Sequence, residues 1–209
     1  MKTKYPRTSH LPWSPGSTSD DKMLSSVEHF VGRNVVVTCK MDGENTTIYN
    51  NGLHARSLDS AHHESQNWVR ALQAQIGHNI PENWRVCGEN LYAKHSISYT
   101  NLPSYFMVFS IWNEKNEALS WAETVEWAEL FGLVTVPVLY QGIWDEAVIR
   151  NLYQPTFNGN DLEGYVVRVA DSFPYEAFSR SLAKFVRKGH VDAAATHWKH
   201  QQVTPNSLL

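Results

Sequence analysis

The sequence predicts an α+β domain built on antiparallel sheet, and three observations carry that prediction. Short β-branched and aromatic runs recur between turn signals, among them Asp42-Gly43 and Asn51-Gly52. Only a few stretches place apolar residues at helical spacing. Strands and helices interleave without the steady alternation that a parallel doubly wound sheet requires. The 209 residues are 42% apolar and 19% charged, as in folded domains, and one domain over 1–209 is the simplest division.

Residues 1–20, rich in Pro, Ser, Thr and Gly, read as an irregular N-terminal arm. Residues 33–40 hold the β-branched run Val35, Val36, Val37 and Thr38, and 46–50 hold another; the Asp42-Gly43 turn between them predicts two paired strands. Asn51-Gly52 continues this as a short meander through residue 57. Trp68, Val69, Leu72 and Ile76 share one helical face, which predicts a surface helix over 60–75 stopped by Gly77. Residues 84–89 and 105–112 read as strands. The stripe Trp121, Val125, Ala128, Phe131 predicts a second helix ended by Gly132. Residues 134–139 return to strand, and Asp145 caps a helix reaching about Tyr153. Residues 158–161 form a loop and 164–169 a strand. Pro174, after Ser172, is the first helical position of a short helix, and 182–187 is either its end or a new strand.

A net charge of −3 carries no global signature of a nucleic-acid or membrane binder, so any anionic partner must be held by local charge. The longest apolar runs, such as 131–140, fall far short of the roughly 20 residues of a membrane helix, and 1–10 is too polar for a signal peptide. Cys39 and Cys87 form no C-x-x-C pair and read as buried free thiols, for which a reducing cytoplasm is the simplest setting. The ten histidines, including His62 and His63 or His190, His197 and His200, find no carboxylate or cysteine at a familiar ligand spacing.

The tetrad Lys40-Met41-Asp42-Gly43 puts a lysine at a strand end and a glycine where backbone must approach a ligand closely. A lysine amine crowded by other cations loses its proton more easily and becomes a nucleophile. By itself the pattern arises by chance in roughly 5% of chains of this length, so its context decides. After it come His54-Ala55-Arg56-Ser57, Arg85 to Leu91 with Glu89, Tyr105 to Trp112 with Phe109, Leu162-Glu163-Gly164-Tyr165-Val166-Val167-Arg168, and Leu182-Ala183-Lys184-Phe185-Val186-Arg187-Lys188. Six elements in this order resemble the covalent nucleotidyltransferase superfamily, and within it the ATP-dependent RNA ligases of the phage RNA ligase 2 type and their bacterial relatives. Residues 5–16 and 189–198 also look like segments of the bacterial proteins.

The resemblance implies a nucleotidyltransferase (ATP-grasp-like) domain of antiparallel sheets with flanking helices. Because only about 20 residues follow Lys188, it is expected to lack the C-terminal OB-type domain of DNA ligases and capping enzymes. It implies ATP and Mg²⁺ as cofactors, RNA with 5′-phosphate and 3′-hydroxyl ends as substrate, and room for a partner protein supplying extra RNA-binding surface. Lys40 is the implied nucleophile, with Asp42 and Gly43 forming its turn. Arg56 is the implied phosphate or sugar contact, Glu89 the acceptor for ribose hydroxyls and Phe109 the platform for adenine. Glu163 is the Mg²⁺-organising or phosphate-facing carboxylate, and Lys184 the cation at the α-phosphate. Each has a plain alternative: a surface arginine at 56, an ion pair with Arg85 or a nearby lysine at 89, a core ring at 109, an exposed loop glutamate at 163. The family's usual aspartate after the aromatic is Ser110 here.

The last motif departs from the family, which has two lysines one residue apart, whereas Val186 stands second here. Strand alternation favours Lys188 as the partner of Lys184, and a bulge favours Arg187. Residues 180–200 carry five basic residues against Asp192, a local cation supply for a phosphate backbone. Two other readings stay open: a DNA ligase or capping-type nucleotidyltransferase, and a nucleotide- or RNA-binding module without catalysis.

Overall fold

The computed structural model describes residues 2–59, 61–189 and 202–209. Its strands are β1 (Asn34–Lys40), β2 (Glu44–Tyr49), β3 (Gly52–Ala55), β4 (Arg85–Asn90), β5 (Phe106–Trp112), β6 (Glu117–Ala118) and β7 (Val134–Thr135). There follow β8 (Val138–Ile143), β9 (Thr156–Phe157), β10 (Asn160–Asp161), β11 (Gly164–Val169), β12 (Phe173–Pro174) and β13 (Leu182–Val186). The α-helices are α1 (Asn67–Ile76), α2 (Trp121–Leu130) and α3 (Glu146–Arg150). His190, His197, Lys199 and His200 lie outside the described residues. No described helix is long and apolar enough to cross a membrane.

Two antiparallel sheets dominate. One has the order β13-β11-β1-β8; the other runs β12-β6-β5-β4-β2-β3, with β7 added parallel to β5. The predicted pairing of the strands around Asp42-Gly43 does not occur. β1 pairs with β11 and β8, whereas β2 pairs with β3 and β4, so 41–43 is a crossover from one sheet to the other. The reason lies in what holds the crossover. The Asp42 carboxylate accepts hydrogen bonds from the backbone N–H groups of Ser96 (2.8 Å) and Ile97 (2.7 Å), and Asp42 N–H donates to the Tyr99 hydroxyl. The aspartate is spent on a distant loop instead of on a hairpin.

The single strand expected over 134–139 is likewise divided. Pro137 has no N–H to give a ladder, and the chain switches there from β7 in one sheet to β8 in the other. The 158–161 loop is a tight ribbon, β9 and β10 joined by Asn158 and Gly159, both at positive φ (49° and 79°), which suits a two-residue hairpin turn. The helix predicted over 60–75 begins as α1 at Asn67, after a 3₁₀ turn at Glu64–Gln66, and that predicted to reach Tyr153 ends at Arg150. Residues 182–186 form a strand, and a 3₁₀ helix, Tyr175–Arg180, precedes it.

One apolar core, including Phe30, Val35, Val37, Tyr165 and Val167, covers the outer face of the four-stranded sheet. A second, with Ile48, Val86, Phe106, Val108 and Ile111, seats α1 and α2 on the larger sheet. Ser120 caps α2 reciprocally with Glu123. The N-terminal arm is irregular in backbone yet firmly docked. Tyr5 and Leu11 are buried, and the arm trades backbone bonds with β13, Lys184 N–H to the Ser9 carbonyl and Leu11 N–H to the Lys184 carbonyl.

Candidate active site

A cavity of about 450 Å³ opens between the two sheets at the crossover. Antiparallel register supplies its first wall. Thr38 faces Val166, which faces Lys184; Arg168 faces Leu182; Lys40 faces Gly164. Cross-strand partners share a face, so this row presents Thr38, Lys40, Val166, Arg168, Leu182 and Lys184 to one space. The second wall comes from Gly43, Asn45, Glu89 and Phe109 of the larger sheet and its entry, with Arg56 one residue beyond β3. Tyr5, Pro6 and Thr8 of the arm complete the enclosure.

Phe109 reaches the cavity through a β-bulge. Cys87 pairs with Ser110 and Gly88 with Val108, which leaves Phe109 as the extra residue of β5. The bulge reverses the strand's alternation, so that Phe106, Val108 and Ile111 share one core while the half-buried Phe109 ring turns inward against Tyr5, 5.1 Å away edge to face. Gly88 is required opposite, because a Cβ there would stand 2.6 Å from the Met107 carbonyl oxygen.

The charged groups converge on Lys40. Its Nζ donates to Glu163 Oε1 at 2.5 Å. Glu163 is buried, not an exposed loop residue, and Gly164 behind it packs so tightly that a Cβ would sit 1.9 Å from the Phe185 carbonyl oxygen. Burial opposes the charge on Lys40, yet the Glu163 and Glu89 carboxylates prevail and hold its amine above the ordinary lysine range. Glu89, desolvated and only partly relieved by Lys40, is pushed up to about 8; one of its oxygens accepts from Gly43 N–H. Arg85 is turned away from it, its guanidinium bonded to Asn116 at 2.6 Å and stacked over Trp112. Burial, then the facing Lys40, lowers the Lys184 amine.

The structure thus gathers Lys40, Gly43, Arg56, Glu89, Phe109 and Lys184 around one cavity, with Glu163 bonded to the first of them. Asp42 lies behind the turn as its anchor. Neither Arg187 nor Lys188 lines the cavity: the alternation that favoured Lys188 stops with β13 at Val186, Lys188 is exposed in a turn, and Arg187 is half-buried 4.0 Å from Asp161. Sequence reasoning gave no site role to Tyr5, Thr8, His95 or Arg168, all of which line the cavity. Arg168 could have been found by counting in twos from Gly164; the irregular arm and the loop holding His95 offer no periodicity to read.

Such a site suits a polyanion beside a hard cation. Lys40, Lys184 and Arg56 can meet phosphate oxygens, and the carboxylates of Glu89 and Glu163 are the oxygen donors a Mg²⁺ or Mn²⁺ ion takes. Among the described residues no three His, Cys, Asp or Glu side chains cluster to hold a metal alone. An ion here fits as one shared between carboxylate and substrate phosphates.

Residues 33–186 match the family model of RNA ligase, a span that runs from the start of β1 to the end of β13. The chain belongs to the RNA ligase family. Solved structures agree in fold. A Naegleria gruberi RNA ligase mutant in its apo form superposes with a TM-score of 0.57 at 16% identity, over 89% of this chain and 62% of that one. Another mutant of that ligase, with ATP and Mn, gives 0.57 at 17%, over 88% and 60%. An archaeal ATP-dependent RNA ligase gives 0.55 at 16%, over 88% and 48%. This RNA ligase family chain therefore spans between about half and two-thirds of the length of those proteins. No curated protein matches it in sequence.

Proposed function

We propose that the chain is an ATP-dependent RNA ligase, which joins an RNA 5′-phosphate to a 3′-hydroxyl through a lysyl-AMP and an RNA-adenylate. The observation that carries this is the convergence of Lys40, Lys184 and Arg56 on one cavity with Glu163 bonded to the Lys40 amine. The neighbouring carboxylates favour the Lys40 ammonium, so in the first step its proton passes to the Glu163 carboxylate, which already accepts its hydrogen bond, only as the amine engages the nucleotide. Its lone pair then forms the N–P bond to the α-phosphorus of ATP, the bond to the β-phosphate breaks, and pyrophosphate leaves carrying the second proton of the former ammonium. Lys184 and Arg56 offset the charge that builds on the phosphoryl oxygens. A Mg²⁺ ion shared with Glu89 or Glu163 would supply further neutralisation of that charge.

In the second step an oxygen of the RNA 5′-phosphate attacks the same phosphorus, the N–P bond breaks, and Lys40 regains its proton. In the third the 3′-hydroxyl oxygen forms the phosphodiester bond to the activated 5′-phosphate, the bond to the adenylate breaks, and AMP leaves with the hydroxyl proton. Phe109 presents the apolar face an adenine ring stacks on, and Glu89 the acceptors its ribose needs. Rejoining of broken RNA is the biological use this chemistry fits.

The experiment is incubation of the purified chain with α-labelled ATP and Mg²⁺, followed by a denaturing gel. A label on the wild type that Lys40→Ala lacks supports the reading; no label on the wild type, or label kept by Lys40→Ala, overturns it. Sealing of a nick that already carries a 5′-adenylate, offered as RNA and as DNA, identifies the acceptor.

A further inference from the structure

The N-terminal arm does more than close a wall of the cavity. Residues 10–24 double back as a small loop, with His10 N–H bonded to the Lys22 carbonyl, Leu24 N–H to the His10 carbonyl and Asp21 N–H to the Thr18 carbonyl. At its tip the Asp21 carboxylate is fixed from behind: Oδ2 accepts from both the backbone N–H (3.0 Å) and the hydroxyl (2.9 Å) of Thr18, and lies 3.5 Å from His10 Nε2. Its other oxygen points at the Lys184 amine, 3.8 Å away. His10 is itself locked, almost wholly buried, with Nδ1 on the Ser14 hydroxyl, and that hydroxyl accepts from Val186 N–H in β13.

We infer that Asp21 is a positioning residue, which aims the Lys184 ammonium along the cavity wall and keeps it protonated for lysyl-AMP formation. The inference rests on the ligase reading above. Lys184 needs such a partner because the charges around it are otherwise adverse. Lys40 faces it from β1 and Arg56 from beyond β3; Glu163 and Asp21 are the opposing anions, and His10 is the remaining titratable neighbour. Glu163 is already bonded to Lys40. His10 is held neutral by burial and by the Lys184 cation, titrating only near pH 4. Glu89 titrates near 8 beside Lys40, so it shapes the neutral part of a rate profile and not its alkaline end.

The test is the single-turnover rate of lysyl-AMP formation from pH 6 to 10, for wild type, Asp21→Asn and Asp21→Glu, with melting temperatures on the same preparations. Loss of the anion lowers the Lys184 pKa, so the alkaline limb in Asp21→Asn should move toward neutrality by about one unit, a tenfold loss of rate on that limb. The ascending limb should stay in place, and Asp21→Glu should restore most of the loss. Superimposable profiles for wild type and Asp21→Asn overturn the inference. So does a uniform loss at every pH with a lowered melting temperature, which marks Asp21 as a structural tie only. Should Asp21→Asn not fold, Lys184→Arg replaces the titrating cation by a permanent one; an alkaline limb that persists in it overturns the inference equally. A wild-type chain that takes no label at all sinks the ligase reading itself, an outcome distinct from these.

Discussion

Phe109 is the position where stability and ligand binding can be separated most cleanly. Truncating a fully buried phenylalanine to alanine costs about 3–5 kcal/mol. This ring is half-buried, lines the cavity and meets the Tyr5 ring edge to face, so Phe109→Ala should cost about 2 kcal/mol, a fall in Tm of roughly 4–8 °C for a chain of this size. If the ring carries adenine, the same variant loses about 1–3 kcal/mol of base stacking, a five- to 150-fold weaker affinity for ATP. Phe109→Leu divides the two, since leucine keeps most of the apolar volume and has no π face. Its Tm should return to within about 3 °C of wild type while its affinity stays near that of the alanine variant. Melting and calorimetric titration with ATP on one preparation decide it. Wild-type affinity in Phe109→Leu, or unchanged affinity in Phe109→Ala with the full core penalty in stability, refutes the stacking role.

Three further outcomes follow from the geometry. Gly164→Ala drives a Cβ into the Phe185 carbonyl, where only backbone can give way; a loss of about 3 kcal/mol together with lost ATP labelling is expected, and a Tm within about 2 °C of wild type would show the strands have slack there. Glu89 takes up its proton more readily folded, near pH 8, than as an ordinary carboxylate near 4.5, so it subtracts stability as pH rises between those values. Glu89→Gln should therefore melt several degrees above wild type at pH 9 and alike at pH 4, while binding ATP more weakly; equal melting at both pH values contradicts the burial argument. In the last motif, Arg187→Ala should slow ATP labelling more than Lys188→Ala, because the half-buried Arg187 guanidinium lies 4.0 Å from Asp161, two residues before Glu163, whereas Lys188 is exposed; a stronger defect in Lys188→Ala reverses that order.

What the sequence made legible was local. Val35 to Lys40, Gly164 to Val169 and the Ser120 cap announce themselves through β-branching and side-chain chemistry within a few residues. The partners of those strands did not. Asp42-Gly43 carries every mark of a hairpin turn, and only the backbone of Ser96 and Ile97, more than fifty positions away, turns it into a crossover. Phe109 was named from the order of motifs, but counting in twos could not show that it sits on a bulge, since the register depends on Gly88 in the neighbouring strand. The arm was legible as an irregular segment but its docking was not, because that depends on backbone bonds to β13, which a run of Pro, Ser and Thr can make without any periodic signature.

The docking of that arm also sets an order of assembly. Ser9, Leu11 and Ser14 find their partners in Lys184 and Val186, with Ser14 and Val186 separated by 172 positions. During synthesis the arm therefore leaves the ribosome long before β13, the strand it docks on. Until then the cavity lacks both the wall made by Tyr5 and Thr8 and the row that ends in Lys184. Contacts of such separation close late, after the entropy of the whole intervening loop has been met. Lys40 thus emerges well before Lys184, and the cavity that both of them line is complete only once β13 has docked.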